Sequence, residues 1–134
     1  MKPTTVIKVK DVMKKKVDFV DGMKTVRDAL HEMQHIETKT LIVNKRHEND
    51  EWGMVVVSDI ARKVLAADKS VERTNIYEVM TKPIVTIHQN MDIRYCARLF
   101  ERFDISRAAV IEARQIVGIV SHTDMVLRGL AKNL

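Results

Sequence analysis

Four features of the sequence carry side chains that could do chemistry. Ser121-His122-Thr123-Asp124 sets a hydroxyl three residues ahead of a carboxylate, the spacing of a capping box in which each side chain bonds the other residue's backbone N–H. His31-Glu32-Met33-Gln34-His35 has the H-E-x-x-H spacing. On a helix that spacing turns two imidazoles to one face for zinc, with the glutamate as general base. Lys14-Lys15-Lys16 is the densest run of cations and could draw an anion, although a run of three is ordinarily a solvated turn. Cys96 is the single thiol; on an apolar helix face it reads as a small buried residue rather than a nucleophile. The zinc reading is disfavoured by its own surroundings. Met33 continues the apolar pattern of Ala29 and Leu30, no G-x-x-H follows Ile36-Glu37-Thr38, and the matching segment Arg98 to Arg102 keeps none of the ligands. A surface helix with no metal is expected there.

These residues must be positioned by a chain of 134 residues, long enough for one compact domain or two very small ones. Hydrophobic residues make up 46%, too many for a disordered chain. Apolar runs such as Met54 to Val57 are far too short to span a bilayer. Met1-Lys2-Pro3-Thr4-Thr5 lacks the apolar stretch of a signal sequence, and one cysteine fits a reducing compartment, so a cytoplasmic location is expected. The net charge of +5 invites a nucleic-acid reading. The excess is spread evenly along the chain, however, and aromatics for base stacking are only 4%.

The chain repeats itself. At an offset of 67, Asp11-Val12-Met13 aligns with Glu78-Val79-Met80, Val26-Arg27 with Ile93-Arg94, and Thr40-Leu41-Ile42-Val43 with Arg107-Ala108-Ala109-Val110. The offset then drops to 65, so the first copy carries two extra residues in its Lys45 to Glu51 loop. Beyond it Gly53-Met54-Val55 matches Gly118-Ile119-Val120, and Asp59 matches Asp124.

Each copy reads as strand, helix, strand, strand, helix. Val17 to Val20 and Ile84 to Ile87 are strand-like. Val26, Ala29, Leu30, Met33 and Ile93, Cys96, Ala97, Phe100 fall at helical spacing. The strands Thr40 to Asn44 and Trp52 to Val56 follow in the first copy, Ala108 to Glu112 and Ile116 to Val120 in the second. Ser58 to Ala67 and Thr123 to Ala131 close the copies as helices. The expected class is α+β, with two pseudo-symmetric repeats at 8–67 and 76–132 joined by the polar linker 68–75. Units this small are expected to stack sheet to sheet around one shared core.

With Asp11-Val12-Met13, Glu78-Val79-Met80 and Gly118-Ile119-Val120-Ser121-His122-Thr123-Asp124 in these places, residues 8 to 132 resemble the tandem cystathionine beta-synthase (CBS) domain pair, or Bateman module. The resemblance implies a cleft that binds an adenosyl ligand such as AMP, ADP, ATP, NAD or S-adenosylmethionine, regulation of an attached or partner protein, and assembly into dimers. With no catalytic or transport domain in the sequence, a non-enzymatic module acting in trans on an unknown partner is expected, with no cofactor of its own. By the family pattern Ser121 and Asp124 contact phosphate and ribose hydroxyls, as a carboxylate can accept from two vicinal hydroxyls and a hydroxyl can donate to phosphate. Arg107 matches a basic residue that the family's kinase gamma subunits aim at phosphates; Ser106 and Thr123 are further polar candidates. The adenine would lie against the other repeat near Lys14, Phe19, Thr38 and Lys39, with Lys14 to Lys16 as a positive rim for polyphosphate.

The first copy departs from the pattern. It has Val56 where Ser or Thr is expected while keeping Asp59 and Ser58, and both copies lack the family's frequent proline, having Ile42 and Ala109. One competent site and a weaker second one (Asp59, Ser58, Thr81, Ile105) are therefore expected. The alternatives are a structural dimerisation or interaction module without ligand, a zinc hydrolase through His31, Glu32 and His35, and nucleic-acid binding through the Lys14 cluster.

Overall fold

The computed structural model describes residues 6–133; the leading Met1 to Thr5, where no signal sequence is expected, lies outside the described residues. A single helical turn α1 (Val9–Val12) comes first. It is followed by β1 (Asp18–Val20), α2 (Val26–Glu32), β2 (Thr40–Val43), β3 (Gly53–Val56) and α3 (Val57–Ile60). After a 3-10 turn at Ile76–Glu78 the pattern returns as β4 (Thr86–His88), α4 (Ile93–Phe103), β5 (Arg107–Glu112), β6 (Gln115–Ser121) and α5 (Asp124–Leu130). The class is mixed α+β, with two three-stranded sheets ordered β1-β2-β3 and β4-β5-β6. In each sheet the first two strands are parallel and the last two antiparallel.

Local chemistry sets the element ends. The Thr25 hydroxyl accepts from the Asp28 N–H at 3.1 Å and the Asp92 carboxylate from the Arg94 N–H at 2.8 Å, so each long helix starts on a side-chain cap. Asp104, at φ 54°, ends α4 in the left-handed region. A tight turn of Ala113 and Arg114, with φ 48° and 66°, joins β5 to β6, a conformation that asparagine and glycine adopt more readily. The final helices, expected as ordinary α-helix over Ser58 to Ala67 and Thr123 to Ala131, are wound differently. α3 gives way to a π-helical stretch at Ala61–Leu65, and α5 is π-helical throughout; apolar spacing does not distinguish these windings. Among the described residues no helix is long and apolar enough to cross a membrane.

The chain forms two compact units that do not coincide with the sequence repeats. One takes residues 6–16 and 85–133, the other residues 17–84. The segment leading into each repeat thus completes the unit built on the other repeat. In the first unit, Lys14 and Ile119 exchange both backbone hydrogen bonds at 2.9 Å. In the second, Thr81 and Met54 do the same at 2.8 and 2.9 Å. Val9, Val12 and Met13 join Ile87, Phe100 and Val120 in one apolar cluster, while Ile76 and Val79 join Val26, Leu41 and Val55 in another. Each unit therefore encloses its own core, where a single shared core was expected. The exchanged segment brings the apolar cover, and each fully buried valine or isoleucine in it contributes about 1.5–3 kcal/mol.

The seam between leading segment and last strand requires a glycine in the first unit. A Cβ on Gly118 would stand 2.6 Å from the Lys14 carbonyl oxygen and 2.7 Å from Met13 Sδ, whereas one on Gly53 would meet mainly the flexible Met80 Sδ at 2.8 Å. Gly118→Ala is expected to lower the urea midpoint by the equivalent of about 1–3 kcal/mol, and Gly53→Ala by less. Replacing Ala113-Arg114 with Asn-Gly is expected to raise stability by about 1 kcal/mol by relieving the left-handed turn, again read by urea unfolding.

Candidate functional site

In the first unit the polypeptide leaves β6 at Ser121 and enters α5 at Asp124, and the two side chains lock this corner. The Asp124 N–H donates to Ser121 Oγ at 3.2 Å. Oδ2 of Asp124 accepts from the Ser121 N–H at 3.1 Å and from its hydroxyl at 3.0 Å. The capping-box geometry is complete, and it leaves Oδ1 directed at other partners. Lys14 Nζ bonds that oxygen directly, and Arg128 Nη1 lies 3.8 Å away. Asp124 is only 2% exposed, so two cations on one side and a fixed hydroxyl on the other offset the cost of burying its charge.

The position of Lys14 follows from the seam described above, since its backbone is stitched to Ile119, two residues before Ser121. Arg128, one helical turn beyond Asp124, also donates to the Met13 carbonyl at 3.3 Å. Arg107 opens β5 directly opposite Ser121 in the antiparallel pair, a register that places the two side chains on one sheet face about 5 Å apart at Cβ. The exposed Ser106 accepts the His122 N–H on its carbonyl at 3.0 Å, and Thr123 is exposed on the first turn. His122 packs its ring on Phe100 at 5.2 Å between centroids. Ile105 is half-buried against the apolar cluster. The corner thus assembles a buried carboxylate, three cations and three hydroxyls, a set able to hold a diol and an anion side by side.

The equivalent corner of the second unit is poorer. Val56 has no hydroxyl, so Asp59 accepts only the Val56 N–H at 3.2 Å and, on its other oxygen, Arg62 Nη2 at 2.9 Å. Thr81 stands where the first unit has Lys14 and is exposed, as is Ser58. Lys63 Nζ caps the Val79 carbonyl at 3.1 Å.

Of the residues expected near an adenine, Lys14 belongs with Ser121 and Asp124, whereas Phe19, Thr38 and Lys39 all lie in the second unit. There Phe19 is 46% exposed and packs against Trp52 at 5.9 Å between centroids. Thr38 is buried, with its hydroxyl donating to the His35 carbonyl at 2.9 Å. Lys39 takes a left-handed backbone at φ 56°, and its carbonyl accepts the Val57 N–H at 3.0 Å. Two cations, Arg128 and Arg62, were not singled out from sequence. Their signal was present in the spacing, four and three residues after the aspartate on its helix.

The zinc-like motif loses its helical premise. α2 stops at Glu32, so His35 lies beyond it, and its N–H instead donates to Asp18 at 2.8 Å. Glu32 pairs with Lys24 at 2.6 Å. Among the described residues no three or more His, Cys, Asp or Glu side chains converge. Cys96 is fully buried in its cluster, and burial pushes its thiol up to about 11, which leaves almost no thiolate at neutral pH.

Comparison with known proteins places the chain in a family. The chain is 23% identical over 113 residues to an uncharacterized protein of Methanopyrus kandleri, covering 81% of this chain and 57% of the relative; it therefore spans little more than half of that relative's length. Among solved structures it is similar to a hexameric CBS-CP12 protein from bloom-forming cyanobacteria, with 35% identity over 92% of this chain and 72% of that one and a TM-score of 0.87. It is also similar to the CBS domain pair of protein MJ0100, solved in complex with 5′-methylthioadenosine and S-adenosyl-L-methionine. That match has 25% identity over 96% and 99% of the two chains, with a TM-score of 0.77. The family model for the CBS domain matches twice, at residues 9–66 and 76–130, and the chain belongs to the CBS domain family.

Proposed function

We propose that this chain is a regulatory, non-catalytic module that binds an adenosyl ligand at the Ser121–Asp124 corner and acts on a partner protein in trans. The observation that carries this reading is the Asp124 carboxylate, buried yet aimed by Ser121 at a shell of cations. Its oxygens suit ribose hydroxyls, while Arg107, Ser106 and Thr123 flank the corner with groups suited to phosphate. The adenosyl ligands of the MJ0100 domain pair support the same chemistry. The Asp59 corner, without a hydroxyl and with its aspartate held by Arg62, is the weaker site. Ligand would act by favouring one arrangement of the module over another, and a homodimer is the assembly we expect.

Calorimetric titration with AMP, ATP, NAD and S-adenosylmethionine tests the reading. Saturable binding of at least one of them is expected, with Asp124→Ala abolishing it; no binding of any would leave an interaction module without ligand.

Lys14 sharpens the expectation. Because Lys14 Nζ occupies the oxygen a diol needs, a ligand must displace it, and a 5′-phosphate offers it a new partner where a bare nucleoside offers none. Lys14→Met is expected to weaken AMP by about 10- to 150-fold, the loss of one charge-assisted hydrogen bond of about 1.5–3 kcal/mol. Adenosine should be unchanged or tightened, and equal loss for both ligands would contradict the exchange.

A further inference from the structure

The two corners described above lie at one end of their sheets; the second unit has a cavity at the other end of its own. β1 and β2 run parallel and β3 antiparallel to them. Residues just after β1 and β2 and just before β3 therefore share an end. Thr38, Lys39 and Asp59 lie at the opposite end, about 13 Å away along the four residues of β2. At the first end Gly22, Met23, Val43, Tyr77, Met80 and Pro83 line a cavity of about 750 Å³, a volume in the range of small-molecule sites. Asp21, Asn44, Arg46, Glu51 and Lys82 line the rest.

Two departures from the internal repeat accompany it. Gly22 aligns with Gln89 of the first unit, whose side-chain amide reaches Glu112 at 2.7 Å. A Cβ on Gly22 would come within 3.3 Å of Val43 Cγ1 and 3.5 Å of Tyr77 Cβ, so any side chain there grows between two walls of the cavity. The Lys45 to Glu51 loop, longer by two residues than its counterpart, supplies Arg46, Asp50 and Glu51. The first unit has the tight Ala113-Arg114 turn instead.

The charge of the site follows from who is already paired. Lys82 Nζ holds Asp50 at 2.8 Å and Arg46 Nε lies 3.5 Å from the same carboxylate. The Lys82 bond, with the Arg46 backbone N–H that donates to the same carboxylate at 2.9 Å, keeps the Asp50 carboxyl well below the usual carboxylate range, and both cations of the lining lie against it. Asp21, with one oxygen on the Met23 N–H at 2.8 Å, and the exposed Glu51 remain as carboxylates at the rim. In a chain of net charge +5, this is a locally anionic mouth over an apolar floor, with a tyrosine ring for a cation and thioethers that adapt to an irregular apolar body.

We propose that this cavity is a second ligand site, separate from the adenosyl corner, taking a small organic ammonium ion with an aromatic or branched apolar body. The ammonium would lie against Asp21 and Glu51, and the body against Tyr77, Met80 and Met23.

The test uses the full chain with methyl-labelled methionine, titrated with phenethylammonium and with phenylacetate as the charge-inverted probe. Phenethylammonium is expected to shift the Met23 and Met80 methyl signals saturably, phenylacetate not. Asp124→Ala, which removes the adenosyl corner, should leave that titration unchanged. Gly22→Gln, which copies the first unit, should abolish it; no glycine here has positive φ, so the backbone accepts a side chain. If Gly22→Gln fails to fold, the double variant Asp21→Asn, Glu51→Gln decides, with affinity expected to fall at least tenfold. Equal response to both probes, no response to phenethylammonium, or full binding by the double variant would overturn the proposal.

Discussion

The pair of backbone hydrogen bonds between Lys14 and Ile119 is the contact on which the candidate site depends. It lashes the opening segment of the first repeat to the last strand of the second, and it does so at the closest backbone approach that Gly118 permits. From that seam Val9 and Val12 turn into the core, and Lys14 is delivered to a carboxylate 110 positions away in sequence. A three-stranded sheet with two helices cannot cover its own apolar face, so the borrowed segment is a requirement of burial, and the site is a by-product of that requirement. The twin seam at Met54 and Thr81 shows the same solution reached by the other half of the repeat.

Duplication then allows the halves to diverge without loss of fold. The seams, the sheet order and the buried valines are kept, because each is needed for a closed core. The polar residues at the corners are free to differ, and they do. Val56 stands where the first unit has Ser121 and Thr81 where it has Lys14, so the second unit has an aspartate but holds it with Arg62, a neighbour on its own helix. At the other sheet end the divergence runs the opposite way, with Gly22 and a longer loop opening space where Gln89 and a tight turn stand in the first unit.

Much of the fold was legible in the sequence, for a definite reason. An internal offset of 67 residues, which keeps hydrophobic class at nearly every paired position and drops to 65 only in a polar loop, states both the repeat and the element order. Val26 with Ala29 and Ile93 with Cys96 and Phe100 do face their cores. The Ser121 to Asp124 spacing announced its hydrogen bonds because capping is a local, three-residue event. His31 to His35 misled as a helical motif for an equally local reason: the chain turns after Glu32 so that Asp18 can take the N–H groups of Gln34 and His35, a long-range contact that a five-residue spacing does not contain.

By itself, then, the sequence determined the α+β class, the twofold repeat, the burial of Cys96 and the richer chemistry of the Ser121–Asp124 corner, since all of these follow from residue type at short or regular spacing. Only the tertiary structure decided that each leading segment belongs to the other repeat's unit, that each unit has its own core, and that Lys14 meets Asp124 rather than standing on a solvated rim. Those outcomes depend on which backbone edges and apolar faces find cover, a balance struck between residues far apart in the chain and therefore invisible in any window of it.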